Sequence, residues 1–166
     1  ESNDRDSIIS WDPHEDYLQE LNLYRITYDI LKYVDLCLPS QAEVMAMYGS
    51  KDLAAAARAF ADAGPSVIAI KKSVEGSLVY VKETQQFFEI PIYPCRTVDP
   101  TEAGDSYCGG FLACYLKTKD PVLSACWGTV SASFVVEHVG ALNTFESSFL
   151  EAEQRLEYVQ SKVESF

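Results

Sequence analysis

Residues 98–111 read VDPTEAGDSYCGGF, and this segment decides the fold and much of the chemistry expected of the chain. An acidic residue and a turn lead through small residues to Gly104 and Asp105, where a helix is predicted to begin. Backbone amides at a helix start lack acceptors and carry partial positive charge, so they attract anions, phosphates above all. A carboxylate in the same turn can accept a proton from a nucleophile that attacks a bound phosphoryl group. The segment therefore predicts a phosphoryl-transfer site.

The composition limits the partners that the chain can bind. Its 166 residues, 48% of them apolar, are enough for one compact core. With 13 Lys and Arg against 25 Asp and Glu, the net charge is -12, and no basic cluster interrupts it. Nucleic acid and anionic membrane are therefore poor partners. No apolar run approaches the roughly 20 residues that span a bilayer, so we expect no membrane partner.

The cysteines indicate a reducing compartment. There are five, an odd number, and none belongs to a CxxC pair. They lie in apolar or small-residue segments and are Cys37, Cys95, Cys108, Cys114 and Cys126. We expect buried free thiols rather than a disulfide framework or a structural zinc site, and hence a cytoplasmic protein.

Predicted strands and helices alternate along the chain. Apolar runs predict strands at 7–11, 33–38, 66–71, 77–81 and 86–92. Spacing and capping residues predict helices at 17–32, 41–48, 51–63, 104–117, 121–138 and about 146–163. Ser40 and Glu43 predict a capping box at the helix that begins at residue 41. Without repeats or long linkers, residues 1–166 are expected to form one α/β unit, which we interpret as part of a longer protein.

Three blocks of the chain resemble, in order, the ribokinase-like (PfkB) family of carbohydrate and nucleoside kinases. Residues 34–43, VDLCLPSQAE, are similar to the family's VD…PNxxE, and residues 67–78, VIAIKKSVEGSL, to VVVKLGxxGS. Residues 98–111 are similar to VD(T/P)TGAGDSFxGGF and are followed by Gly140 and Ala141. The resemblance, over about residues 7–145, implies a three-layer α/β sandwich with a mostly parallel central sheet. It further implies that residues 1–166 form the C-terminal nucleotide-binding portion, without the half that holds the sugar pocket and lid.

The resemblance implies roles for the residues of the third block. Asp105 matches the family's catalytic base, which deprotonates the acceptor hydroxyl. Ala103, Gly104 and Asp105 would supply backbone amides to an anion hole for the transferring phosphoryl group. Asp99 and Thr101 match positions that hold a monovalent cation such as K⁺ beside that hole.

The resemblance also implies binding of ATP and Mg²⁺. The matched positions are Ser40, Glu43, Lys71, Ser73, Gly76 and Thr129. Glu43 matches the glutamate that orients magnesium-bound waters. Ser73 and Gly76 belong to the loop that approaches ATP, and Thr129 lies where members of the family contact the adenine.

Three residues depart from the family pattern. Ser40 replaces an asparagine and Ser73 replaces a glycine, and both are expected to be mild changes because they keep small polar groups. Glu102 replaces the first glycine of GAGD. If its carboxylate points at the phosphate site, its negative charge makes the free energy of anion binding less favourable by about a few kcal/mol. It also removes a residue that is free to adopt a positive φ.

Two functions remain open at the level of sequence. The first is ATP-dependent phosphorylation of a hydroxyl on a sugar or nucleoside, in a protein that could form homodimers through the half absent here. The second is a non-catalytic pseudokinase that serves as a scaffold or regulatory subunit. An unrelated nucleotide-binding module is disfavoured because the chain lacks the P-loop GxxxxGK[ST] and the GxGxxG motif.

Overall fold

A computed structural model describes residues 7–13, 29–140 and 148–166 of the chain. The strands are β1 (Ser10–Trp11), β2 (Leu36–Cys37), β3 (Val67–Lys71), β4 (Ser77–Val81), β5 (Gln86–Ile90) and β6 (Glu164–Ser165). The α-helices in these ranges are α1 (Gln41–Tyr48), α2 (Leu53–Ala63), α3 (Ala103–Thr118), α4 (Pro121–Val135) and α5 (Phe149–Gln160). The strands form one six-stranded sheet in the order β1-β2-β3-β4-β5-β6. This arrangement confirms the predicted α/β class, and the sheet is open.

The register of the paired strands is defined at both ends of the sheet. The pairs β1–β2 and β2–β3 are parallel, with Leu36 opposite both Ser10 and Val67. The pair β5–β6 is antiparallel, with Phe88 opposite Ser165. Parallel strands that are covered on both faces are typically apolar throughout, and four of the five residues of β3 are buried.

The described residues divide into two compact units. The first draws on Glu1–Ile70 and Tyr80–Gln86, and the second on Lys71–Val79 and Phe87–Phe166. In the first unit the predicted capping box is present, since Ser40 Oγ accepts the Glu43 N–H at 3.2 Å and the Glu43 carboxylate accepts the Ser40 N–H at 2.5 Å. Helix α1 spans the predicted residues 41–48, and Gly49, with φ 75°, caps its end.

In the second unit, α3 and α4 approach each other closely at glycines. A Cβ on Gly128 would lie 2.8 Å from the carbonyl oxygen of Tyr107, and one on Gly110 would overlap the Ser131 hydroxyl. A Cβ on Gly109 would contact nothing within 4 Å. Gly110 and Gly128 therefore set the separation of the two helices, whereas Gly109 plays no part in it.

A buried arginine fastens α5 to α4. Arg155 is only 5% exposed and donates to Ser133 Oγ at 2.9 Å and to the Glu137 carboxylate at 2.6 Å. Its guanidinium also lies 3.8 Å from the centre of the Phe134 ring. The charge is therefore both paired and hydrogen-bonded, which is what makes burial of a guanidinium tolerable.

Several element boundaries differ from the prediction. The strand predicted over 86–92 ends at Ile90, because Pro91 has no N–H to donate. The helix predicted to reach residue 138 ends at Val135, and the next carbonyl, that of Val136, accepts the N–H groups of Val98 and Asp99. Of the helix predicted over 17–32, residues 29–31 are helical and residues 17–28 lie outside the described residues.

Strand β6 was not predicted at all. Its flanking residue Phe166 exchanges two backbone hydrogen bonds with Phe87, both 3.1 Å long, and their rings stack 5.5 Å apart. The two residues of β6 are polar and exposed, so no apolar pattern marks them.

None of the five cysteines belongs to a disulfide, as expected. Cys37, Cys114 and Cys126 are buried, but Cys95 and Cys108 are half-buried, so the expected burial is wrong for these two. In the part of the chain that the structure describes, no helix combines the length and the apolar character that a bilayer crossing requires.

The helix contact predicts opposite effects for two neighbouring glycines. Gly110→Ala forces a methyl group against Ser131 and the Trp127 carbonyl, and should lower the free energy of unfolding by about 1–3 kcal/mol. Gly109→Ala is the matched control, because it only improves helix propensity and should raise stability by up to about 1 kcal/mol. Urea unfolding of both variants of the full-length protein measures the difference, and equal effects would contradict this packing.

The buried Cys126 thiol predicts a loss of stability in alkali. Burial first, and then the charges of Asp120 and Cys114, raise the pKa of Cys126 to about 12, whereas an exposed thiol titrates near 8.5. The stabilisation is complete below about pH 8.5 and is lost as the pH rises towards 12, because the unfolded chain releases its proton first. We expect a loss of up to about 1.4 kcal/mol per pH unit in this window.

Urea unfolding between pH 8 and 11 under reducing conditions measures this effect. Cys126→Ala should reduce the slope of stability against pH by the contribution of this thiol. Burial also raises the pKa of Tyr107, so part of the slope above pH 10 remains in the variant. Identical slopes in the two proteins would contradict the assignment.

Candidate functional site

Two backbone N–H groups at the start of α3 have no hydrogen-bond acceptor among the described residues, and we call them open amides. Glu102 precedes the helix with φ 65° and ψ 0°, and its carbonyl accepts the Ser106 N–H at 2.9 Å. The Ala103 N–H donates to the Pro100 carbonyl at 3.2 Å. In the described ranges, the N–H groups of Gly104 and Asp105 have no acceptor, and both residues are exposed. These two amides can bind an anion at the positive end of the helix.

The turn that leads into α3 is tied by Asp99. Its carboxylate accepts the hydroxyl of Thr101, the N–H of Thr101 at 3.0 Å and the N–H of Gly140. These hydrogen bonds, that of the Thr101 hydroxyl first, lower the pKa of Asp99 below its ordinary value. Asp99 and Thr101 therefore hold the turn together, and their binding of a cation stays a prediction.

A lysine and an aspartate lie at the same turn. Asp105 is exposed in the first turn of α3. Lys71, the last residue of β3, brings its Nζ 3.4 Å from the Cys108 Sγ and 3.8 Å from the position of a Cβ on Gly104. The structure thus brings Lys71 together with the residues of the third block, although the sequence separates them by about thirty positions.

The loop after β3 needs left-handed backbone at two positions. Ser73 has φ 55° and Gly76 has φ 84°. A Cβ on Gly76 would overlap the Ile90 carbonyl oxygen, so only glycine fits there. Ser73 was expected to be a mild replacement, but its positive φ costs a residue with a side chain roughly 1–2 kcal/mol. The Lys72–Glu89 ion pair, 2.5 Å long, fastens the loop to β5.

The remaining predicted site residues lie at the start of α1 and within α4. Thr129 is buried within α4, with 7% of its surface exposed. Ser40 and Glu43 belong to the first unit, where their side chains cap α1. Over the segments that the structure describes, no three His, Cys, Asp or Glu side chains cluster closely enough to hold a metal ion. The structure leaves the predicted metal and nucleotide roles of these residues untested.

Sequence reasoning missed a cleft beside the same turn. It has a volume of about 310 Å³ and begins at Ser106, with Trp127 and Ser131 on one wall and Phe149 on another. The Trp127 and Phe149 rings lie 6.4 Å apart and are nearly parallel. Three helices contribute its walls, so no local sequence pattern could have revealed it.

Comparison with known families identifies the family of this chain. The model of the pfkB family of carbohydrate kinases matches residues 26–148, more than half of the chain. The chain belongs to this family.

Related kinases come from archaea. A cytidine kinase of Thermococcus kodakarensis is 35% identical over 101 residues, which make up 61% of this chain and 35% of that protein. A nucleoside kinase of Methanocaldococcus jannaschii is 43% identical over 72 residues, or 43% of this chain and 23% of that protein. The chain therefore spans about a third or less of these curated relatives.

Solved structures share the fold of this pfkB family chain. The nucleoside kinase of M. jannaschii, an archaeal member of the ribokinase family, superposes with a TM-score of 0.74 at 26% identity. The match covers 92% of this chain and 48% of that one. An E. coli protein crystallised with ATP and Mg²⁺ gives a TM-score of 0.77 at 24% identity, covering 92% of this chain and 49% of that one, and this likeness concerns the fold alone.

Two substitutions of Glu102 should separate the effect of its left-handed backbone on stability from the effect of its charge. Glu102→Gly removes roughly 1–2 kcal/mol of strain, partly offset by about 0.4–1 kcal/mol of extra unfolded-state entropy. We expect stability to rise by up to about 1 kcal/mol. Glu102→Gln keeps the strain and removes the charge, and should leave stability within about 0.5 kcal/mol of the parent. Thermal unfolding checks both, and a marked destabilisation by Glu102→Gly would contradict the backbone assignment.

Proposed function

We propose that the full-length protein transfers the terminal phosphoryl group of ATP to a hydroxyl of a sugar or nucleoside. One observation carries the proposal: the open amides of Gly104 and Asp105 lie in the same helical turn as the Asp105 carboxylate. Membership of the pfkB family of carbohydrate kinases supports the same chemistry. The two amides would form the anion hole, which Ala103 would join only by releasing its bond to Pro100.

Asp105 is the general base in this proposal. Its carboxylate is exposed and forms no hydrogen bond or ion pair within the described ranges, so an acceptor hydroxyl can approach it. The carboxylate takes the hydroxyl proton as the hydroxyl oxygen attacks the terminal phosphorus. The helix N-terminus stabilises the charge that develops on the phosphoryl oxygens, and the ammonium of Lys71 would bind the phosphates of the nucleotide.

The ATP and cation assignments follow the family pattern. The positive groups at the start of α3 fit a polyphosphate, and the loop of Ser73 and Gly76 together with Thr129 would hold the rest of the nucleotide. Mg²⁺ keeps most of its waters and binds chiefly through phosphates, so few protein carboxylates are required. Glu43 would orient those waters, in addition to capping α1 with Ser40.

Asp99 and Thr101 are proposed to hold the monovalent cation, for which K⁺ is the candidate. The Asp99 carboxylate stays ionised because its pKa is lowered by the hydrogen bonds of Thr101 and Gly140. An ionised oxygen held at a fixed turn is a suitable ligand for a hard cation.

The state of Glu102 favours an enzyme over a scaffold. Its backbone adopts a left-handed conformation, which glycine adopts readily, so the replacement of glycine has not removed the positive φ at this position. Its side chain is exposed, and in the described part of the chain it makes no hydrogen bond. Solvent therefore screens its charge, which reduces the opposition to a bound phosphate.

Nucleosides are the first substrates to test. The relatives are named cytidine kinase and nucleoside kinase, which makes a nucleoside hydroxyl the leading acceptor for this chain as well. A panel of nucleosides and sugars with MgATP, followed by phosphoryl transfer to each acceptor, identifies the substrate.

Replacement of the base tests the mechanism. Asp105→Asn should reduce the turnover of the full-length protein by about 10²–10⁴-fold, because the amide cannot accept the hydroxyl proton. MgATP should still stabilise the variant against thermal unfolding. Asp62→Asn is the matched control, since Asp62 is an exposed carboxylate in α2, and its activity should equal that of the parent. Undiminished turnover in Asp105→Asn would exclude Asp105 as the base.

A further inference from the structure

The Lys71 ammonium rests on one face of α3, over its first turn. Lys71 Nζ donates to the Cys108 Sγ at 3.4 Å and lies 3.8 Å from the Cβ position of Gly104. Cys108 follows Gly104 by four residues, and residues four apart share one face of a helix. The ammonium therefore lies beside both the Cys108 sulfur and Gly104, which is one of the two residues with open amides.

This position is electrostatically unusual for a cation. The amides at the start of a helix carry partial positive charge, so they repel an ammonium nearby. A bound phosphate would reverse the balance, because it attracts both the amides and the ammonium. Apart from the two chain neighbours of Gly104 and the backbone of α3 itself, only the Lys71 ammonium among the described residues lies within 4 Å of the Cβ position of Gly104.

We propose that Cys108 is a positioning residue, whose sulfur holds the Lys71 ammonium at the phosphate site. This role rests on the proposed kinase function and adds a residue to it. A lysine side chain has four rotatable bonds, and ordering it costs entropy unless a contact holds it beforehand. The thiol supplies that contact from within α3 itself, one turn beyond Gly104, without adding a negative charge to the site.

Nucleotide affinity tests the role of Lys71. In the full-length protein, Lys71→Met should weaken MgATP binding by about 10–100-fold through loss of a charge-assisted hydrogen bond, and Lys71→Arg should restore much of it. Calorimetric titration measures the affinity, and steady-state kinetics separates KM from kcat. The change should lie mainly in the KM for MgATP.

Two variants of Cys108 separate positioning from packing. Cys108→Ala removes the acceptor and should raise the KM for MgATP about two- to fivefold, with kcat nearly unchanged. Cys108→Ser keeps an acceptor and should restore the parent value. A purely structural thiol would lower the melting temperature in both variants and leave the KM unchanged in both.

The reactivity of the thiol gives a readout independent of ATP. When iodoacetamide reacts, the Cys108 thiolate displaces iodide and forms a thioether, and a nearby ammonium speeds this step by stabilising the thiolate. Mass spectrometry of the peptide that contains Cys108 should show slower alkylation in Lys71→Met than in the parent or in Lys71→Arg. An equal rate in Lys71→Met would overturn the Lys71–Cys108 contact.

The outcomes distinguish this role from the function on which it rests. A parent protein that neither binds MgATP nor phosphorylates any acceptor overturns the proposed function and this role together. A parent that binds MgATP, with unchanged affinity in both Lys71→Met and Cys108→Ala, overturns the positioning role alone.

Discussion

The left-handed backbone at Glu102 is the constraint on which the candidate site depends. With φ 65°, this residue turns the chain from the segment of Asp99 into α3, and its carbonyl accepts the N–H of Ser106. The same turn directs the amides of Gly104 and Asp105 away from any acceptor in the described ranges. An extended or right-handed residue at this position would change the direction of the helix start, and the two open amides would no longer share one turn with the Asp105 carboxylate.

Three kinds of contact with the rest of the second unit hold this turn in place. The Val136 carbonyl at the end of α4 accepts the N–H groups of both Val98 and Asp99, which ties the entrance of α3 to the exit of its partner helix. Further along α3, Gly110 allows the close approach of α4. The buried Tyr107 hydroxyl and the Ser77 hydroxyl are 2.9 Å apart, which links α3 to β4. The amides are therefore held in position before any ligand binds, so that binding need not pay for ordering them.

Two departures from the family pattern have the same backbone property, a positive φ at a residue other than glycine. Ser73 and Glu102 both stand where the pattern has glycine, and both adopt the positive φ that glycine would adopt, at 55° and 65°. The chain therefore preserves the backbone geometry and accepts a strain of roughly 1–2 kcal/mol at each position. Strain at turns beside functional groups is tolerated when the surrounding structure over-determines the conformation. The altered side chain of Glu102 changes the charge near the site rather than its shape.

Local patterns in the sequence determined the α/β class, the capping box of Ser40 and Glu43, and the helix start at residues 103–105, because each depends on neighbouring residues. Local patterns could not reveal β6, which is short and polar, or the early end of α4, which follows from the use of the Val136 carbonyl by a distant segment. Nor could they show that the Ala103 N–H already donates a hydrogen bond to the Pro100 carbonyl. The meeting of Lys71 with Cys108 was decided only by the tertiary structure, because a contact between residues 37 positions apart depends on how the chain packs and not on the pattern of neighbouring residues.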